Sequence, residues 1–434
     1  MAETEKPSRG TGKENVDMLI VGANELITLG NAGYAPRTGG KMQNLGIIPN
    51  GALAIKNGKI VAIGTTPQLA GKFKSEQVVD AKGKTVMPGF VDAHTHLVFA
   101  GAREVEFEMR LKGASYLEIL KKGGGILQTV RETRKATVEE LVETARKTLD
   151  VMLMHGTTTV EAKSGYGLST EHEIKILEAV KTLDEQHAVS LVPTFMGAHA
   201  FPQEYADNPD GYVELVTEEM IPKVAEQGLA EFCDVFCEKD VFTVSQSRKI
   251  LETAKSYGLK PKVHADEMTC LGGAELAAEV EAVSAEHLIY ASDRGIEALA
   301  QKGVVAVLLP AASFALMINR YADARKMIAK GVPVALGTDF NPSCWTENMQ
   351  LVIALACRNM RLSPAEAITA ATINAAHAVN RASEIGSLEI GKKADIIIVD
   401  APSYRFLGYR FGTNLVDSVI KNGELVVENG RILR

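Results

Sequence analysis

Pro88-Gly-Phe-Val-Asp-Ala-His-Thr-His-Leu97 is the stretch where the chain changes rhythm. Phe90-Val91 is a short apolar strand signal, and the histidines behind it are spaced two apart. An extended backbone therefore turns both imidazoles to one face. Upstream of this phrase the sequence reads as short strands and turns. Met18-Leu-Ile-Val21, Ala52-Leu-Ala-Ile-Lys56 and Lys59-Ile-Val-Ala-Ile63 are β-rich runs, and Asn57-Gly58 between the last two is hairpin chemistry.

Downstream, strand-like runs alternate with amphipathic helices. Thr157-Thr-Thr-Val160, Val189-Ser-Leu-Val-Pro193, Glu231-Phe-Cys-Asp-Val-Phe236, Lys260-Pro-Lys-Val-His264, Ala285-Glu-His287, the run 304–309 and Val332-Pro-Val-Ala-Leu336 follow the first strand. Helical patterns fill 138–154, 171–185, 245–257 and 274–282 between them. This alternation predicts an α/β protein with a (β/α)8 TIM barrel. The C-terminus goes back to short strands and turns. Ala394-Asp-Ile-Ile-Ile-Val-Asp400 and Asp417-Ser-Val-Ile-Lys421 are strands, and Asn422-Gly423 turns into Glu424-Leu-Val-Val427. The expected organisation is a polar tail over 1–15, a small β-sandwich domain built from 16–86 plus 385–434, and a catalytic barrel over 87–384. A doubly wound open sheet competes, but Gly123-Gly124-Gly125 matches neither a dinucleotide fingerprint nor a phosphate loop. It reads as a flexible active-site loop or a plain surface turn.

Composition narrows the function classes. A formal net charge of −7 over 434 residues, with no Lys/Arg run, argues against a nucleic-acid or acidic-membrane partner. The polar segment 1–14 is not a signal peptide, and the longest apolar run, 304–318, is broken by Pro310 and Ser313. Five scattered cysteines suggest reduced thiols in a cytoplasmic protein. Cys233 and Cys237 lie four apart, but no second pair accompanies them to complete a zinc-thiolate set.

The chemistry-bearing residues sit at strand ends. His94 and His96 end the first strand, His264 the fifth, His287 the sixth, and Asp339 of Gly337-Thr-Asp-Phe-Asn341 the eighth. Any one histidine reads equally well as a packed structural residue. Four strand ends all presenting ligand-type groups are harder to attribute to packing, and barrel enzymes keep their sites at that end. Closure brings strands one and eight together, so His94, His96 and Asp339 converge with His264 across the mouth. Three histidines, an aspartate and an open position suit zinc or ferrous iron. Glu267, three residues after His264, is placed to reach a metal-bound water or a substrate nitrogen; Asp266 beside it reads as a solvated loop acid.

These residues resemble the mononuclear branch of the amidohydrolase superfamily. Finer phrases are similar to those of the imidazolonepropionase family within it: Lys163-Ser-Gly-Tyr-Gly-Leu168, Thr194-Phe-Met-Gly-Ala-His199, Asp234-Val-Phe-Cys-Glu238, His264-Ala-Asp-Glu267 and Thr338-Asp-Phe-Asn-Pro342. The resemblance runs from about Val21 to Asn429. It implies one Zn2+ (or iron) per chain on His94, His96, His264 and Asp339. It implies hydrolysis of the cyclic amide of 4-imidazolone-5-propanoate to N-formimidoyl-L-glutamate, in a cytoplasmic homodimer. Glu267, His287 and Asp339 would handle protons around the attacking water. Arg103 would hold the propionate, with Tyr166, His199, Glu267, Asn341, Ser343 and Cys344 also contacting substrate or product. One departure stands out: after Asn-Pro the family favours small residues, whereas this chain has Ser343-Cys-Trp-Thr346. Binuclear relatives use a carboxylated lysine near strand four, and Lys239 is close to that place. The competing readings are a guanine or cytosine deaminase of the same superfamily and a non-enzymatic barrel scaffold.

Overall fold

The computed structural model describes residues 13–30, 35–113 and 124–433. Eight parallel strands stand in chain order: Phe90–Asp92, Thr157–Lys163, Ser190–Ala198, Phe232–Cys237, Lys260–Ala265, Ser284–His287, Val305–Leu308 and Val334–Leu336. They are the first to eighth barrel strands below. The ring closes just beyond the strand ends. The Asp339 N–H donates to the His94 carbonyl at 3.0 Å, and the His96 N–H to the Phe340 carbonyl at 2.8 Å. Asp92 locks the same seam, accepting the Thr338 N–H at 2.9 Å and its hydroxyl at 2.6 Å. The seam thus brings His94 and His96, which follow the first strand, against Asp339.

Local chemistry explains why the helices start where they do. Val138–Met154 begins at a capping box made by Thr137 and Glu140, and its buried side includes Leu141, Ala145, Leu149 and Met152. Val244–Ser256 starts on the same device, built from Thr243 and Gln246. These helices cover the barrel, whose strands are buried on both faces.

The chain ends build a separate nine-stranded sheet, with Met18–Ile27, Ile47–Lys56, Lys59–Thr65 and Thr85–Pro88 from one end and Ile396–Val399 and Val416–Lys421 from the other. The expected sandwich takes the form of this one hydrogen-bonded sheet folded over a shared core. Met18, Ile20, Leu53, Ile60, Ile396 and Ile420 pack together, and the Gly58 carbonyl of one hairpin accepts the Ala394 N–H from the other end of the chain. Glu14–Asn15 pairs with Phe73–Lys74, so sheet structure begins inside the segment expected to be a tail. Residues 1–12 and Gly123, the first of the three glycines, lie outside the described residues. Among the described residues no helix is long and apolar enough to cross a membrane, and all five cysteines are free.

Candidate active site

His94, His96 and His264 each offer a ring nitrogen, and the three nitrogens lie within 4.8 Å of one another. All three side chains are buried. Burial, followed by the charge of Lys163, pushes His94 well below the ordinary histidine range. Burial and the neighbouring His199 do the same to His96. Both imidazoles are therefore neutral at pH 7, as a metal ligand must be. For His264 burial also works downward, but the Asp234 carboxylate outweighs it and raises the value. Asp339 Oδ1 stands 3.5 Å from His94 Nε2 and 3.8 Å from His96 Nε2. The Nε2 atoms of His94 and His264 are buried with no hydrogen-bond partner among the described residues. Orphaned buried imidazole nitrogens facing a carboxylate are a donor set that fits a tetrahedral cation.

The other ring nitrogens of two of these histidines are spoken for. His94 Nδ1 meets Glu286 Oε2 at 3.0 Å, and His264 Nδ1 meets Asp234 Oδ2 at 3.0 Å. Behind them a chain of opposite charges crosses the barrel interior. Lys163 Nζ bonds Asp234 Oδ2 at 2.7 Å and Glu161 Oε1 at 2.8 Å. Lys262 Nζ reaches the same Glu161 oxygen at 2.9 Å and Glu286 Oε1 at 3.6 Å. All five of these charged side chains are fully buried. Isolated, each would be costly to bury; alternating in sign at 2.7–3.6 Å, they offset one another's charge beneath the histidines.

Above that floor is a cavity of about 440 Å³ lined by His96, His264, Asp339, Glu267, His287, Arg103, Tyr166, His199, Asn341, Ser343 and Cys344, among others. The structure thus gathers the sequence-derived site residues around one space, apart from His94, which lies in the floor beneath. Glu267 Oε2 is 3.6 Å from His287 Nε2. Burial, reinforced by the Asp339 charge, raises the Glu267 carboxyl to about 8, while burial raises Asp339 to about 6. His287 and Asp339 both sit in the left-handed backbone region, at φ 66° and 52°, a strained placement that recurs at functional sites.

The sequence model of the amidohydrolase family matches residues 85–426. The chain belongs to the amidohydrolase family. It is 56% identical to a protein named imidazolonepropionase from Geobacillus sp. (strain WCH70), over 96% of this chain and 99% of that one. It is 53% identical to one of the same name from Alkaliphilus metalliredigens (strain QYMF), over 96% and 100%. Among solved structures it is similar to an adenosine deaminase from Xanthomonas campestris with bound zinc (TM-score 0.72, 19% identity, 97% of this chain and 95% of that chain). It is also similar to E. coli guanine deaminase (TM-score 0.70, 16% identity, 95% and 99%). At these identities the structural likeness shows the fold alone.

Within this amidohydrolase, several side chains have work that local sequence reading does not show. Asp266 is not a solvated acid. It is fully buried and accepts the backbone N–H groups of Leu271, Gly272, Gly273 and Ala274 at 2.9–3.1 Å, so it fixes the turn behind Glu267. Glu173 similarly accepts the N–H groups of Gly165, Gly167 and Leu168 at 2.7–2.9 Å and shapes the loop carrying Tyr166. Asn341 Oδ1 takes the N–H groups of Ser343 and Cys344, and its amide donates to the Asp339 carbonyl. The Asn341 amide therefore builds the 341–346 loop from within. Trp345 packs edge-on against Phe99 and Phe340, with ring centres 5.4 and 5.5 Å apart. Lys239 is exposed, its side chain outside the buried charge chain; the buried barrel lysines are Lys163 and Lys262. A signal for that chain was present in the sequence: Glu161-Ala-Lys163, Lys262-Val-His264 and Ser284-Ala-Glu286 put polar groups at alternate positions in strands that should read as apolar.

Proposed function

We infer that this amidohydrolase opens the cyclic amide of 4-imidazolone-5-propanoate to give N-formimidoyl-L-glutamate, a step of L-histidine degradation. The observation that carries the reading is the shared cavity. A cluster of cation-binding type, a Glu267–His287 pair and the cationic Arg103 all face one space. A small ring with an anionic arm matches that distribution, and the name of the two relatives agrees with it.

His94, His96, His264 and Asp339 would hold one zinc ion per chain, with iron as the other metal the donor set suits. When bound, the ion supplies Lewis acidity, lowering the pKa of a coordinated water from ~15.7 toward ~7. Asp339 accepts the proton as water oxygen adds to the ring carbonyl carbon. Neutral His287 donates to the oxygen where negative charge develops. The ring C–N bond then breaks, and Glu267, held protonated at pH 7 by its value of about 8, gives its proton to the departing nitrogen. Tyr166 and His199, packed together with ring centres 5.2 Å apart, wall the substrate ring on one side, and Arg103 holds the propionate. The loop of Asn341, Ser343 and Cys344 closes the product side. We further propose that the chain acts as a cytoplasmic homodimer, which light scattering of the purified protein checks.

The deciding assay is incubation with 4-imidazolone-5-propanoate. Loss of the ring's ultraviolet absorbance and formation of formimidoylglutamate without free ammonia is the expected result. Ammonia released from guanine or cytosine, with no turnover of the imidazolone, would overturn the reading.

A further inference from the structure

Arg103 does not stand free at the cavity wall. Its Nε donates to Thr129 Oγ1 at 2.9 Å, and its Nη1 donates to Ser343 Oγ at 2.9 Å. The two hydroxyls come from unrelated parts of the chain. Thr129 is buried at 3% exposure on the helix Ile126–Lys135, which the backbone enters through Gly125 at φ 80°. Ser343 belongs to the loop that Asn341 organises, the same loop in which this chain departs from the small-residue pattern. Arg103 itself precedes the helix Glu104–Leu111.

A guanidinium has five N–H donors in a planar fork. Two oxygens on different edges of that plane fix both its position and its tilt. They engage Nε and one hydrogen of Nη1, which leaves Nη2 and the second Nη1 hydrogen to meet a carboxylate end-on. A long arginine side chain carries rotamer entropy that a ligand must otherwise remove when it binds. Two hydroxyls that hold the fork before substrate arrives lower that cost. Arg103 also shares the cavity with Tyr166 and His199.

We propose that Thr129, with Ser343 opposite it, is a positioning residue that aims Arg103 and so sets selectivity for substrates bearing a carboxylate arm. This rests on Arg103 taking the propionate, as the functional reading has it. The serine hydroxyl at 343 then acts on the arginine rather than on the substrate. Thr129 belongs neither to the cavity lining nor to the histidine cluster.

The experiment compares Thr129→Val, which keeps the shape and removes the acceptor, with Thr129→Ser, which restores it. Each is assayed on 4-imidazolone-5-propanoate and on its neutral carboxamide. Losing one hydrogen bond is worth about 2- to 10-fold in affinity. Thr129→Val should raise KM for the acid by that factor, leave kcat within about twofold, and leave KM for the carboxamide unchanged. Thr129→Ser should behave as the parent. In an Arg103→Met background Thr129→Val should add nothing to the loss, because the two residues act as one unit. If Thr129→Val does not fold, Thr129→Ala removes the same acceptor without a branched side chain and should show the same split. Equal KM changes for acid and carboxamide, an unchanged KM for the acid, or full additivity with Arg103→Met would overturn the proposal. A parent that binds and turns over the carboxamide as well as the acid would instead overturn the reading of Arg103 beneath it, and the proposal with it.

Discussion

Asp234 holds His264 twice: Oδ1 accepts its backbone N–H at 3.1 Å, and Oδ2 meets its ring Nδ1 at 3.0 Å. The same Oδ2 takes Lys163 Nζ at 2.7 Å. A carboxylate so placed fixes the imidazole as the tautomer whose Nε2 is bare toward the cluster, and partners of this kind commonly govern metal affinity. Asp234→Asn should therefore reduce metal affinity by about 10- to 100-fold, although Asp234 is not in the cluster itself. Competition against a chelator measures it. Affinity equal to the parent in the folded variant would show that the contact only packs the barrel. Stripping the metal from the parent should abolish turnover, and re-adding zinc should restore it.

Glu267 and His287 are expected to act on protons without holding the ion. Glu267→Gln and His287→Asn should each retain metal yet lose about 100- to 10,000-fold in kcat, the usual worth of general acid–base catalysis. Elemental analysis and steady-state kinetics on the same preparation separate the two properties. Metal loss in either variant would move that residue into the ligand set.

Glu173 gives a test of the loop that carries Tyr166. Its carboxyl satisfies three backbone N–H groups, two of them at 2.7 Å, inside the buried turn 165–168. Glu173→Ala leaves those donors without a partner, each costing about 1–3 kcal/mol less whatever water recovers. Chemical denaturation should show a loss of several kcal/mol, and the surviving enzyme should show a raised KM. Stability within about 0.5 kcal/mol of the parent would mean the turn holds itself.

Acid sensitivity has a local source in His377. Burial, then the charge of Lys392, lowers it to about 4 in the fold, against an unfolded value near ~6.5. The unfolded chain therefore binds a proton first as pH falls. Stability from keeping this histidine neutral is complete above ~6.5, declines between ~6.5 and about 4, and is gone below. Measured in excess chelator to remove metal effects, His377→Gln should lose less Tm than the parent between pH 7 and pH 4.5. Identical pH profiles would remove His377 as a cause.

The barrel, and most of what points into its mouth, is legible in the sequence alone. Each strand–helix unit carries its own periodicity and caps: 138–154 can be read because Thr137 and Glu140 mark its start and its apolar residues recur at helical spacing. His94, His96, His264, His287 and Asp339 can be read because strand ends are local features, and a barrel sends every strand end to one place. Which atoms meet there is a different matter. That Glu286 serves His94 from 192 residues away and that Asp234 serves His264 follow from strand register and barrel closure, which no local window encodes. The alternation at Glu161, Lys163, Lys262 and Glu286 says that charges enter the barrel. That Glu161 sits between both lysines, with Asp234 and Glu286 at the two ends of the run, is settled in three dimensions, because the curved sheet turns the second, fourth, fifth and sixth strands toward one interior.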